Sequence, residues 1–80
     1  MAHLEFFTMP GCPNCAKVKK VLEKIRQDYP DLKIDTIDLT VQPEMAQKYK
    51  IMGCPALAVN GKIEFVGGVK EEKLRRLLKD

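Results

Sequence analysis

The chain has 80 residues, 45% apolar and 31% charged, with 14 basic against 11 acidic residues and a formal net charge of +3. A chain this short buries roughly 60–65% of the surface it exposes when unfolded, which allows one thin core and no separate substrate domain. The composition excludes a disordered or fibrous chain. Trp is absent, and the charge is diffuse rather than blocked, so no nucleic-acid partner is expected.

No window approaches the ~20 apolar residues that a bilayer crossing needs, and no membrane association is expected. Before Pro10 the N-terminal stretch offers only His3-Leu4-Glu5-Phe6-Phe7, without a basic region or a cleavage-type sequence. The expectation is a cytoplasmic protein without a secretory signal. Three cysteines are an odd count, which excludes a fully paired disulfide scaffold in a monomer.

His3 to Thr8 is a short apolar stretch suited to a strand, stopped by Met9-Pro10-Gly11. From Pro13 the period changes. Ala16, Val18, Val21, Leu22, Ile25 and Tyr29 follow helical spacing with one buried face, and Lys17, Lys20 and Lys24 line the solvated side. Pro30 ends that helix. Leu32 to Leu39 is a second strand, with Leu32 and Ile34 on one face and Ile37 and Leu39 on the other, as in a strand covered on both sides. Gln42-Pro43 opens a short helix to about Tyr49. Ala56–Val59, Asn60-Gly61 and Lys62–Val66 spell a hairpin, because a two-residue turn needs positive φ at both central positions. After Gly67-Gly68, a last amphipathic helix carries Val69, Leu74, Leu77 and Leu78. The order β-α-β-α-β-β-α predicts a four-stranded mixed sheet with helices on both faces, in one domain spanning 1–80.

The chemistry gathers at Cys12-Pro13-Asn14-Cys15, where the first strand hands over to the first helix. Pro13 suits a first helical turn, since its missing N–H would be unpaired there. Cys12 is thereby expected at about the N-cap, where unpaired N–H groups and the helix dipole favour a thiolate. Cys15 lies one turn further on, placed to attack a mixed disulfide made by Cys12. A bare C-x-x-C also fits half of many zinc sites. A tetrahedral site would need two more ligands, and only Cys54 and His3 remain, with His3 at the wrong end of the strand. No metal is therefore expected.

The segment Thr8-Met9-Pro10-Gly11-Cys12-Pro13-Asn14-Cys15 resembles the active site of glutaredoxins and small glutaredoxin-like thioredoxins. The likeness runs on through Ile37-Asp38, Tyr49-Lys50-Ile51, Gly53-Cys54-Pro55, Asn60-Gly61 and Gly67-Gly68, in order and over nearly the whole chain. The resemblance implies a thioredoxin fold and a Cys12–Cys15 redox-active disulfide as the only cofactor. It makes Cys12 the nucleophile, Cys15 the resolving thiol and Pro55 a cis-proline facing them. Pro13, Cys54, Pro55, Gly67 and Gly68 would surround the bound substrate.

Glutaredoxins that use glutathione resemble T-K-P in the first loop, T-V-P at the cis-proline and G-G-x-D after the hairpin. This chain has Met9, Gly53-Cys54-Pro55 and Gly67-Gly68-Val69-Lys70 at those places, so a cation, a Thr and a carboxylate are missing. The Trp before the first cysteine and the buried Asp of ordinary thioredoxins are absent too. The implied activity is a monomeric dithiol-disulfide oxidoreductase and electron carrier. It would act on protein disulfides and be recharged by a flavin- or ferredoxin-linked thioredoxin reductase. The rival readings are a glutathione-dependent glutaredoxin, a metal or iron–sulfur carrier using Cys12, Cys15 and Cys54, and a non-enzymatic binding module. Cys54 is expected to stay free when the protein is oxidised.

Overall fold

A computed structural model describes residues 3–79, so residues 1, 2 and 80 at the ends of the expected domain lie outside it. The elements run β1 (His3–Thr8), α1 (Cys15–Asp28), β2 (Lys33–Asp38), α2 (Glu44–Lys48), β3 (Ala56–Val59), β4 (Lys62–Val66) and α3 (Glu71–Leu78). The strands form one sheet in the order β2-β1-β3-β4. β1 pairs parallel with β2 and antiparallel with β3, and β3 pairs antiparallel with β4. This is the thioredoxin fold expected above.

The central strands explain why their sequences are apolar on both faces. Leu4 and Phe6 of β1 join Leu57 and Val59 of β3 under α1 and α3, together with Val18, Leu22, Ile25 and Leu74. On the opposite face Phe7, Ala56 and Ala58 meet Leu39, with Met45, Ala46 and Tyr49 of the α2 region packed over them. Small side chains at 56 and 58 leave room for this shorter layer. β2 stands at the sheet edge and has no fully buried residue. Its two faces still divide as expected, Ile34 packing with the α1 side and Ile37 with the α2 side.

Two apolar positions depart from the helical reading. Ala16 is exposed, and the core-facing stripe of α1 starts instead at Cys15, which packs against Val18 and its neighbours. Leu77 of α3 is 37% exposed and lies outside both clusters; an eight-residue helix turns only one narrow face, that of Leu74 and Leu78, to the sheet.

The hairpin forms with Asn60 at φ 53° and Gly61 at φ 85°. Its register slips between Leu57 and Ala58, where a β-bulge falls. The Asn60 N–H donates to His3 O at 2.9 Å, and the His3 N–H donates to Asn60 Oδ1 at 3.0 Å, so the turn is tied to the start of β1. Arg75 joins α3 to α1 through Asp28 at 2.7 Å and also binds Glu71 at 3.0 Å. These two carboxylates push the guanidinium pKa up, Asp28 contributing most. On the other side of the sheet Tyr49 donates to Glu5 Oε1 at 2.7 Å, a bond that holds the phenol proton and raises its pKa. Among the described residues, no helix is long and apolar enough to cross a membrane.

Candidate redox site

β1 ends at Thr8 beside the beginning of β3, since Phe7 pairs with Ala56. The loops that leave β1 and enter β3 are therefore neighbours, although more than forty residues separate them in sequence. After Thr8 the chain turns through Gly11 at φ 79°, a conformation that other residues rarely take. The Cys12 N–H donates to Met9 O at 3.2 Å and the Cys15 N–H to Cys12 O at 3.4 Å. Cys12 and Cys15 are joined in a disulfide with Cα atoms 5.5 Å apart, within the usual span for a bridge.

Cys12 is not the N-cap. The regular helix begins at Cys15 with Asn14 in the cap position, and the first helical bond runs from Val18 N–H to Asn14 O at 3.1 Å. The chain first makes a tighter three-residue turn, closed by the Cys15 N–H to Cys12 O bond, before the α-helical ladder starts. Asn14 does not cap the helix with its side chain, and no acidic residue stands in the first turn. The unpaired N–H groups there are neither neutralised nor occupied by a carboxylate, which favours an anionic sulfur close to this end.

The loop before β3 brings the third thiol. The Cys54–Pro55 peptide bond is cis, Pro55 is buried, and Cys54 is free. The sulfurs of Cys12, Cys15 and Cys54 all lie within 4.8 Å of one another, and all three residues are half-buried. Gly67, at φ 87°, stitches this loop to the helix: its N–H donates to Pro55 O at 2.7 Å, and its carbonyl accepts from Asn14 Nδ2 at 3.4 Å. Gly67 and Gly68 face Asn14, Lys17, Val18 and Val21 across a shallow groove. Pro13 is exposed in the turn between the two cysteines.

The structure thus gathers Cys12, Cys15, Cys54, Pro55 and Gly67 from three separate stretches. His3 sits at the far end of β1, bound to Asp35 at 2.7 Å, and takes no part. Asn14 escaped the sequence reading, because nothing at position 14 announces a partner at position 67. Its signal was the polar side chain between two cysteines that a helix cap would normally employ.

Residues 4–79 match the family model described as a thioredoxin domain. The chain is 35% identical over 77 residues to a thioredoxin of Methanocaldococcus jannaschii, covering 95% of this chain and 91% of that one. It is 33% identical over 81 residues to a probable thioredoxin of Methanothermobacter thermautotrophicus, covering all of this chain and 95% of that one. Mitochondrial thioredoxin 3 of Saccharomyces cerevisiae, in its oxidised form, superposes with a TM-score of 0.81 at 22% identity, over 99% of this chain and 77% of that one. With these relatives and a disulfide at the start of α1, the chain belongs to the thioredoxin family and is a thiol-disulfide oxidoreductase.

Proposed function

We propose that the protein reduces disulfides of other proteins, with Cys12 as nucleophile and Cys15 as resolving thiol. The observation that carries this reading is the Cys12–Cys15 disulfide in front of an uncapped helix end free of acidic residues. In the dithiol state the Cys12 thiolate attacks one sulfur of a substrate disulfide. A mixed disulfide forms, and the other substrate sulfur leaves as a thiolate that takes up a proton. Cys15 then loses its proton and attacks Cys12 Sγ, closing the Cys12–Cys15 bond and expelling the second substrate sulfur. The substrate gains two electrons and two protons, and the protein is left as its disulfide.

The substrate chain would lie along Pro13, the Cys54–Pro55 loop and the Gly67–Gly68 turn. Support comes from the placement of that loop beside the disulfide and from exposed apolar side chains on the adjoining segments, Met9 at 37% and Met52 at 96%. Recharging in the cytoplasm by a flavin- or ferredoxin-linked thioredoxin reductase fits better than recharging by glutathione. Lys70, exposed at the start of α3, stands where a glutathione-using relative would offer a carboxylate. The protein would work as a monomeric electron carrier with the disulfide as its only redox group.

The decisive experiment offers the oxidised protein thioredoxin reductase with NADPH, or glutathione alone, and follows insulin reduction. Turnover with the reductase and little with glutathone-type thiols is expected. Insulin left intact under both conditions would overturn the proposed reduction of protein disulfides by this route, and turnover with glutathione alone would replace the reductant.

A further inference from the structure

Disulfide exchange uses two thiols, and the site holds three. We propose that the reduced protein binds one monovalent copper ion in a trigonal site made by Cys12, Cys15 and Cys54. The three sulfurs lie within 4.8 Å of one another. A three-coordinate ion with metal–thiolate bonds of about 2.3 Å holds its sulfurs about 4 Å apart. Opening the Cys12–Cys15 bond therefore moves those two sulfurs toward that spacing, and Cys54 already stands within 4.8 Å of both. Two of the ligands come from the turn ahead of α1 and the third from the loop ahead of β3. Their separation is fixed by the pairing of Phe7 with Ala56 and by the bond from Gly67 N–H to Pro55 O. All three residues are partly open to solvent, which gives an ion a way in.

The donor set selects the metal. Thiolates are soft ligands that suit copper(I), whereas zinc prefers four ligands. Among the described residues the cluster contains only these three, and His3 is held by Asp35 at the other end of β1. Binding changes no oxidation state: thiols release their protons to water as sulfur–copper bonds form. The disulfide form offers Cys54 alone. The site exists only after two electrons and two protons, delivered by a dithiol or by the reductase that recharges the protein, have opened the bond. Copper bound there stabilises the dithiol form by mass action and withdraws both sulfurs from exchange. This inference rests on the pair being opened in the working cycle, which insulin reduction measures separately from any metal.

The test uses the full chain, reduced with dithiothreitol, desalted without oxygen, and titrated with copper(I) against the chromophoric chelator bathocuproine disulfonate. The reduced protein should withdraw one equivalent, and X-ray absorption should show three sulfur neighbours. Loss of even an outer-shell partner commonly costs about 10–100-fold in metal affinity, so Cys54→Val, which removes a ligand, should lose at least that much. Cys54→Ser serves as a second variant, and both are first shown by mass spectrometry to form the Cys12–Cys15 disulfide on oxidation, as a check of folding. Oxidised protein should leave the copper with the chelator. No withdrawal by reduced protein, a two-coordinate ion, or undiminished competition by both variants would overturn the proposal, as would retention of copper by the disulfide form.

Discussion

Cys15 packs against the core under α1, whereas Cys12 belongs to neither core cluster. That difference in setting supports the proposed roles. Cys12→Ser should abolish insulin reduction. Cys15→Ser should instead accumulate mixed disulfides with protein substrates, visible as dithiothreitol-sensitive adducts on non-reducing gels. Trapping by Cys12→Ser but not by Cys15→Ser would reverse the assignment. A second residue-scale effect lies at the end of β2. Asp38 Oδ1 accepts from Thr40 Oγ1 at 2.6 Å and from Thr40 N–H at 2.8 Å. These bonds, the hydroxyl's first, hold the Asp38 pKa below its ordinary value of 3.8. Because the folded value is the lower one, the carboxylate's contribution to stability is complete above the unfolded value. It fades as pH falls through the folded one. Thr40→Val should raise the Asp38 pKa toward 3.8, read from its side-chain carbonyl resonance in an NMR titration. An unmoved titration would show that the backbone bonds alone set it.

At the scale of elements, the hairpin and the helix stripes show how local chemistry is put to use. Asn60 and Gly61 both have positive φ, and a Cβ at 61 would meet no neighbouring atom. The cost of Gly61→Ala is therefore conformational rather than steric with the rest of the fold. It should lower stability by about 1 kcal/mol, seen as a lower urea midpoint with unchanged slope. A midpoint equal to the parent's would mean that the turn tolerates another geometry. Ile25, fully buried between α1 and the sheet, carries a larger share. Ile25→Ala should cost about 2–5 kcal/mol in the same measurement, while Lys20→Ala on the solvated face of α1 should change little. Lys24 on the same face reaches Glu71 of α3 only at 3.8 Å with its side chain 70% exposed, a pair that salt would weaken.

For the whole molecule, the loops at one end of the sheet bear on the proposed choice of reductant. The groove between α1 and the Gly67–Gly68 turn is lined by Lys17, Asn14 and small or apolar side chains, and Lys70 follows it at the α3 cap. Glutathione should therefore recharge the oxidised protein slowly, and fast glutathione-coupled turnover in a mixed-disulfide assay would overturn this. Met9→Lys combined with Lys70→Asp should improve that turnover roughly two- to fivefold, the worth of an exposed ion pair. A double variant no faster than the parent would place the glutathione contacts elsewhere.

Much of this protein is written locally. Periodicity in β1, α1, β3 and α3 and the Asn60-Gly61 turn were legible because backbone preference and side-chain alternation act over a few residues. The C-x-x-C motif is local too, so the redox pair could be picked out before any fold was known. What could not be read from the chain is whatever two distant stretches decide together. The start of α1 depended on where the turn from Cys12 to Cys15 gave way to the helical ladder, and the register shift near Leu57 on how β4 pairs with β3. Asn14 meets Gly67 across 53 positions, and Cys54 reaches the other two sulfurs only because β1 and β3 lie side by side. Sequence determined which thiols the protein carries; sheet pairing, a long-range balance of burial and backbone hydrogen bonding, decided that all three would meet.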